Sequence, residues 1–274
     1  MLCFPNAKIN LGLNIISKRP DGFHNIETVF CPANLTDILE FVPDPDMCPG
    51  TCTFNASGIW IDGPGDDNLV VRAYKLLSVD FVLPAIRVHL HKMIPPGAGL
   101  GGGSSDAAFM LKGLNREFSL GIGDDRLREY ASELGSDCPF FLINKPVFGY
   151  EKGSRFKELS RFPAGLHLVL VNPGIHINTT SAYAGIKPRI PSRSLELLIQ
   201  QPVSKWKGTV TNDFEAFITS RHPVIGKISD RLYQLGAVFA SMSGSGSSVF
   251  GLFRKLPQAI EDQFPGYFTY TGRL

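Results

Sequence analysis

The chemistry open to this chain is concentrated in one stretch. Gly97, Gly99, Gly101, Gly102 and Gly103 fall within seven residues and are followed by Ser104, Ser105 and Asp106. Glycines accept positive φ and can turn successive N–H groups into one hollow. A helical period follows, with Ala107, Leu111, Leu114 and Phe118 on one face. Ser104 or Ser105 can cap that helix, and Asp106 in its first turn suits the positive end of the dipole. N–H donors gathered at a helix N-terminus form an anion site, and the usual anion is phosphate.

Two better-known phosphate loops do not fit. A P-loop ends in Gly-Lys-Ser/Thr, and no lysine stands here. Gly97, Gly99 and Gly102 meet the dinucleotide pattern formally, yet no second strand follows the helix to carry a ribose-binding acid. Leu120-Gly121-Ile122-Gly123 and another helix follow instead. A flexible linker or surface turn is the plain alternative. Linkers seldom separate a double proline, Pro95-Pro96, from a capped apolar helix.

Other residues have the types for chemistry but leave alternatives open. Lys8 and Asn10 lie two apart in the alternating stretch 7–16, opposite Ala7, Ile9, Leu11, Leu13 and Ile15. On spacing alone an ordinary solvated strand face accounts for them. Arg19-Pro20-Asp21-Gly22 is a turn that leaves Phe23 and His24 at its exit. They could stack on a base and bond its edge, or be a half-buried ring and a surface imidazole. Asp137 starts a short helix after Gly135, either as a simple cap or as an ionised carboxylate able to take a hydroxyl proton. Tyr183 follows a strand, and core packing competes with a binding role. Ser243-Gly244-Ser245-Gly246-Ser247 is a second small-residue loop, a hairpin turn or a backbone able to approach phosphate. His89 and His91 share a strand face, better explained by partial exposure than by a metal. Cys48 and Cys52 could be half a metal site, but no second ligand pair stands near them.

The segment Pro95-x-x-x-Gly99-Leu100-Gly101-Gly102-Gly103-Ser104-Ser105-Asp106-Ala107-Ala108 resembles the ATP loop of the galactokinase, homoserine kinase, mevalonate kinase and phosphomevalonate kinase (GHMP) superfamily. Its triple glycine is similar to one branch, the 4-diphosphocytidyl-2-C-methyl-D-erythritol kinases of the non-mevalonate isoprenoid pathway. Three further segments are similar to that branch: Ala7-Lys8-Ile9-Asn10-Leu11 with Arg19–His24, Gly135–Phe141, and Ser243–Gly246. The resemblance implies ATP-dependent phosphorylation of a 2-hydroxyl on the cytidyl substrate, with Mg²⁺. It implies that Pro95, Pro96, Gly97, Ala98, Gly99, Leu100, Gly101, Gly102, Gly103, Ser104 and Ser105 hold the triphosphate, with Ser105 touching Mg²⁺. Asn68 and Lys92 would reach the adenine side. Lys8 and Asp137 would be catalytic. Asn10, Phe23, His24, Thr180 and Tyr183 would bind the acceptor, Phe23 and Tyr183 sandwiching its base. The branch usually has tyrosine where Phe23 stands, so the ring face is kept and the hydroxyl lost. The nearest alternative is another kinase of the superfamily, acting on homoserine, mevalonate or a sugar; the joint presence of Phe23-His24 and Tyr183 speaks against it. A non-catalytic nucleotide-binding protein on the same fold is opposed by Lys8 and Asp137.

Elements that could position these residues are legible. Strands read at about 38–42, 51–56 and 86–93, with a helix capped at Asp67-Asn68-Leu69 and another over 125–134. Beyond residue 165 the order is strand Leu166–Val171, helices through 179–200 and 212–235, strands Ala237–Met242 and Ser248–Phe253, helix Leu256–Phe264 and strand Tyr267–Thr271. That is β-α-β-β-α-β, the ferredoxin-like order. An α+β chain of two domains is expected, 1–158 and 159–274. The resemblance implies a ribosomal-S5-domain-2-like ATP-binding domain followed by the ferredoxin-like one, with the active site in the cleft between them.

Composition bounds the rest. The chain has 274 residues, 27 basic against 25 acidic, a net charge of +2. That offers no general attraction to nucleic acid or membrane, and a small-molecule substrate is the expected partner of a monomer or homodimer. No apolar run approaches the ~20 residues of a spanning helix, and the start does not read as a signal peptide. Five cysteines without a framework spacing point to reduced thiols and a cytoplasmic protein.

Overall fold

The computed structural model describes residues 1–163 and 165–274. In chain order its elements are β1 (Leu2–Cys3), β2 (Asn6–Lys18), β3 (His24–Thr36), β4 (Ile38–Pro43), β5 (Cys52–Gly58), α1 (Leu69–Asp80), β6 (Ile86–Lys92), α2 (Gly102–Glu117), α3 (Asp124–Leu134) and α4 (Cys138–Ile143). There follow β7 (Val147–Tyr150), β8 (Arg155–Glu158), β9 (His167–Asn172), α5 (Thr179–Ala184), α6 (Leu195–Ile199), α7 (Asp213–Arg221), α8 (Pro223–Gln234), β10 (Phe239–Met242), β11 (Val249–Phe253) and β12 (Phe268–Arg273).

Contacts divide the chain into two compact units. The first comprises Met1–Ala7, Leu35–Pro96 and Gly101–Asn144; the second comprises Lys8–Asn34, Gly97–Leu100 and Lys145–Leu274. This partition is not the single cut expected at 158/159. Most of β2 and β3 joins β7 and β8 in one sheet, so residues 8–34 and 145–158 group with the C-terminal part.

In the first unit a sheet of order β1-β4-β6-β5 packs on α1, α2 and α3. Its strands alternate as the sequence predicts: Ile86, Val88 and Leu90 are buried while Arg87 and His89 are exposed. The predicted α2 face is the buried one, since Ala107, Leu111 and Leu114 lie in the core and Phe118 packs against it. Gly113 lets α2 approach β4 closely, because a Cβ there would sit 2.9 Å from Phe41. Asn68 caps α1 through Val70 N–H, as its position implies. The start of α2 differs from expectation. Gly101 takes φ +69 and serves as N-cap, so Ser104 and Ser105 lie inside the first turn and cap nothing.

The second unit holds the β2-β3-β7-β8 sheet and an antiparallel sheet of order β10-β11-β9-β12. The latter has the strand order of a ferredoxin-like layer, with α7 and α8 packed on it through Phe214, Ile218, Ile225, Ile228 and Leu232. The helix expected at 256–264 is absent. Ala259 takes φ +48, a conformation that breaks a helix, and only a single 3₁₀ turn forms at Glu261–Gln263. The expected helix 179–200 is two short ones, because Pro188 and Pro191 stand between α5 and α6. Likewise Pro223 opens α8 and separates it from α7.

Candidate active site

The site is best built from β2. Ala7 to Ile15 are buried on both faces of this strand, so the solvated face that spacing allows for Lys8 and Asn10 does not exist. Lys8 is 3 % exposed. Its ammonium donates to Asn10 Oδ1 at 2.5 Å and to Gly99 O at 3.1 Å, and its backbone N–H donates to Leu100 O. Asn10 in turn donates through Nδ2 to Thr28 Oγ1, which donates to Gly12 O. A buried amine with oxygen partners is held in one orientation.

The two small-residue loops meet in the second unit. Ser243 Oγ donates to Gly99 O at 2.9 Å and accepts from Asn10 N–H, while Ser248 N–H donates to Ala98 O. Gly99 has φ +77, and a Cβ there would lie 2.1 Å from Ser243 O. Alanine at this position therefore forces the loops apart, in addition to roughly 1–2 kcal/mol of backbone cost. The expected result for Gly99→Ala is at least a tenfold rise in KM for nucleotide with a lowered Tm, read by steady-state kinetics and thermal unfolding. Asn212, which the sequence analysis does not single out, caps α7 and also donates to Met242 O and Gly244 O, holding the second loop. A cap pattern gives no sign of that second task.

Across the whole glycine stretch, Gly97, Gly99 and Gly101 take φ +63, +77 and +69. Left-handed residues alternating with others point successive N–H groups one way, which is the geometry of an anion nest. With no side chain capping α2, its first-turn N–H groups are also available to an anion.

In the first unit, Lys92 is not presented to a ligand. It is 3 % exposed, donates to Asp106 Oδ2 at 2.7 Å and to Asp37 Oδ2, and lies against Gly102. Burial opposes its ammonium, but the two carboxylates outweigh this and raise its pKa. Burial pushes the Asp106 carboxyl up to about 7 against the pull of Lys92. Asp37 also accepts from the N–H groups of Met93 and Ile94. The triad thus ties β6 and the entry to the glycine loop to the first turn of α2. No sequence period links residues 37, 92 and 106, and this group was not expected.

Asp137 occupies the N-cap of α4, but its side chain makes no capping bond. The start of α4 lies against the first turn of α2. Ser104 and Cys138 both lie beside Gly135, and burial pushes the Cys138 thiol up to about 12 against the pull of Ser104. Asn68 lines a separate cavity of about 460 Å³ beside Gly103.

The aromatic residues lie in the second unit, with an arrangement of their own. Tyr183 stacks on His24, centroids 4.6 Å apart and planes 15° from parallel, and its edge meets Phe214. Tyr183 thus has a ring neighbour, His24, besides the Phe23 with which it is expected to sandwich a base. Phe23 is half exposed, with the Lys152 ammonium 4.8 Å above its ring. Thr180 is exposed, and the contact with the second loop is made by Thr179, whose Oγ1 is 3.2 Å from Ser245 Oγ. Burial, with Lys18 second, lowers the His24 pKa below 6.5. Its imidazole therefore takes up a proton less readily than a free one, and any stability that rests on the neutral ring is lost as pH falls through the depressed value.

Family models for the GHMP kinases N terminal domain and GHMP kinases C terminal match residues 68–145 and 204–268. The 4-diphosphocytidyl-2-C-methyl-D-erythritol kinases of Parabacteroides distasonis and Bacteroides fragilis are each 48 % identical to this chain, covering 100 % of both sequences. The chain belongs to that kinase family, within the GHMP kinases. A crystal structure titled 4-(cytidine 5′-diphospho)-2C-methyl-D-erythritol kinase superposes on this GHMP kinase with a TM-score of 0.81 and 30 % identity, covering 100 % of this chain and 98 % of that one. The Methanococcus jannaschii mevalonate kinase, 12 % identical, shares its fold with a TM-score of 0.74 over 100 % of this chain and 98 % of its own. This GHMP kinase is an ATP-dependent small-molecule kinase of α+β architecture. Among the described residues no helix is long and apolar enough to cross a membrane.

Proposed function

We propose that this kinase transfers the γ-phosphoryl group of ATP to the 2-hydroxyl of 4-diphosphocytidyl-2-C-methyl-D-erythritol, in non-mevalonate isoprenoid precursor synthesis. The observation that carries the acceptor assignment is the His24–Tyr183 stack with Phe23 beside it, in the same unit as Lys8 and Gly97–Leu100. A flat, partly exposed aromatic set suits a nucleobase, and the His24 ring nitrogens can bond its edge.

Phosphoryl transfer asks for positioning and charge stabilisation more than covalent help. The N–H groups of the 97–105 stretch hold the triphosphate. Asp137, at the N-cap position of α4, takes the proton of the acceptor hydroxyl. Lys8 stabilises negative charge on the transferred group, with Asn10 fixing its amine. Ser105 Oγ and Asp106 Oδ1 are buried and have no hydrogen-bond partner among the described residues. Oxygen donors at the end of the phosphate loop fit Mg²⁺, which would neutralise the phosphate oxygens. Asn10, Phe23, His24, Thr180 and Tyr183 hold the cytidyl acceptor, whose binding orients the distant hydroxyl. A net charge of +2 supports a small-molecule partner rather than a polyanion, and our reading is of a cytoplasmic enzyme, a monomer or homodimer.

The test is to offer cytidyl, homoserine and mevalonate acceptors and to follow ADP release. Turnover with the cytidyl acceptor alone is expected; equal turnover with the others would remove the assignment. For Tyr183→Ala, KM for the cytidyl acceptor is expected to rise roughly tenfold to a hundredfold, the range for losing one base–aromatic stack. KM for ATP should change little in the same assay.

A further inference from the structure

The 460 Å³ cavity of the first unit is bounded by Phe54, Ile61, Pro64, Asn68, Leu69 and Gly103. Gly103 stands in the first turn of α2, where the N–H groups of the phosphate loop end. Gly103 is shared by that turn and the cavity wall, so the cavity is within reach of the base of a nucleotide whose phosphates sit on the turn, and its apolar walls suit flat ring faces.

Trp60 also lines the cavity and is 81 % exposed. An indole is among the largest apolar surfaces a side chain has, and leaving it in water contributes nothing to folding. Its N–H is satisfied by Asp62 Oδ1 at 2.9 Å, which ties the ring to its own loop rather than to the core. That loop is anchored at both ends. Ile59 N–H donates to Lys92 O at 2.8 Å, and Gly58, at φ +81, lies so close to β6 that a Cβ would be 2.2 Å from the same oxygen. At the other end Asp67 N–H donates to Pro64 O, leading into the Asn68 cap of α1. Gly63 lies between, at φ +97 with open space around it.

We propose that Trp60 is a specificity-determining residue for the nucleotide: it stacks on the base of ATP in this cavity and forms the wall that favours a bicyclic purine. This rests on the kinase reading but not on the identity of the acceptor. The chain has two tryptophans, and the other, Trp206, is fully buried, so emission from the exposed indole reports on Trp60.

The full-length enzyme is titrated with AMPPNP and Mg²⁺ while tryptophan emission and acrylamide quenching are followed. Nucleotide is expected to shield the exposed indole from acrylamide, and Trp60→Phe is expected to abolish this change while the Trp206 emission remains. Trp60→Ala should raise KM for ATP about tenfold, the scale of one lost base stack, with KM for the acceptor unmoved. Trp60→Phe, which keeps a ring, should recover most of that loss. An unchanged KM for ATP in Trp60→Ala, or an emission change that survives in Trp60→Phe, overturns the proposal. If the wild-type enzyme released no ADP with the cytidyl acceptor yet kept the Trp60 signal, the acceptor assignment would fall and this inference would stand. Cytidyl-dependent turnover with a normal KM for ATP in Trp60→Ala would overturn this inference and leave the acceptor assignment in place.

Discussion

Replacing Asp137 by alanine is expected to lower turnover by roughly 10²–10⁴, the range for losing a positioned acid or base. The reasons are local. Asp137 stands at the N-cap of α4 and makes no capping bond there. Gly135 and Cys138, which flank it in sequence, lie beside Ser104 in the first turn of α2, in the same unit. Thermal unfolding of the same variant separates a loss of turnover from a loss of folding. AMPPNP affinity, measured by calorimetry, should stay within about threefold, since the triphosphate is held by N–H groups rather than by Asp137. Asp137→Asn, with the same shape and no basic carboxylate, should lose as much turnover as the alanine variant. Turnover near the wild-type value in either variant would take Asp137 out of the mechanism.

The largest expected effect on stability is at Lys92. Lys92→Met keeps much of the side-chain volume but leaves Asp37 and Asp106 with no cation, at 0 % and 2 % exposure. Breaking a buried ion group by removing one partner costs about 3–5 kcal/mol. In a chain of this size that corresponds to a Tm lower by roughly ten degrees, read by calorimetry. The pH dependence gives a second check. Asp106 already has a folded-state pKa raised to about 7. A group raised in the folded state contributes stability that is present at low pH and lost as pH rises through the raised value. The variant should therefore recover part of its lost Tm between pH 7 and pH 5, as Asp106 takes up a proton and the uncompensated charge disappears. A Tm deficit that deepens on acidification would contradict this account. The triad also holds Met93 and Ile94, which lead into the glycine loop, so KM for ATP should rise along with the loss of stability.

Much of what the structure contains follows from short-range pattern. Helix α1 begins where Asn68 can cap it, and α2 buries the face marked by Ala107, Leu111 and Leu114. The strand between Ile86 and Lys92 alternates as written. Glycines at 97, 99 and 101 take the positive φ that their type allows. Such features depend on periods of two and 3.6 residues and on backbone sterics, which are properties of neighbouring residues. The order of strands in the C-terminal sheet also follows from the order of elements along the chain.

Partner choice at long range was decided elsewhere. Spacing leaves the polar side of β2 free to face water; the fold buries it, and Lys8 finds Gly99, 91 residues away. Lys92 was expected at a nucleotide and instead joins Asp37 and Asp106 inside the first unit. Tyr183 lies on His24, a partner that no local spacing indicates. A helix drawn through 256–264 gave way to a left-handed Ala259 and one 3₁₀ turn. A buried charge or ring must be satisfied by whatever group the packed chain brings to it, and that group is chosen by topology. From its own residues, then, the sequence determined the anion loop, the helices that flank it and the types of side chain able to act. Which amine, carboxylate and ring each of them meets was decided only by tertiary structure, because desolvation enforces pairing between residues that no local period connects.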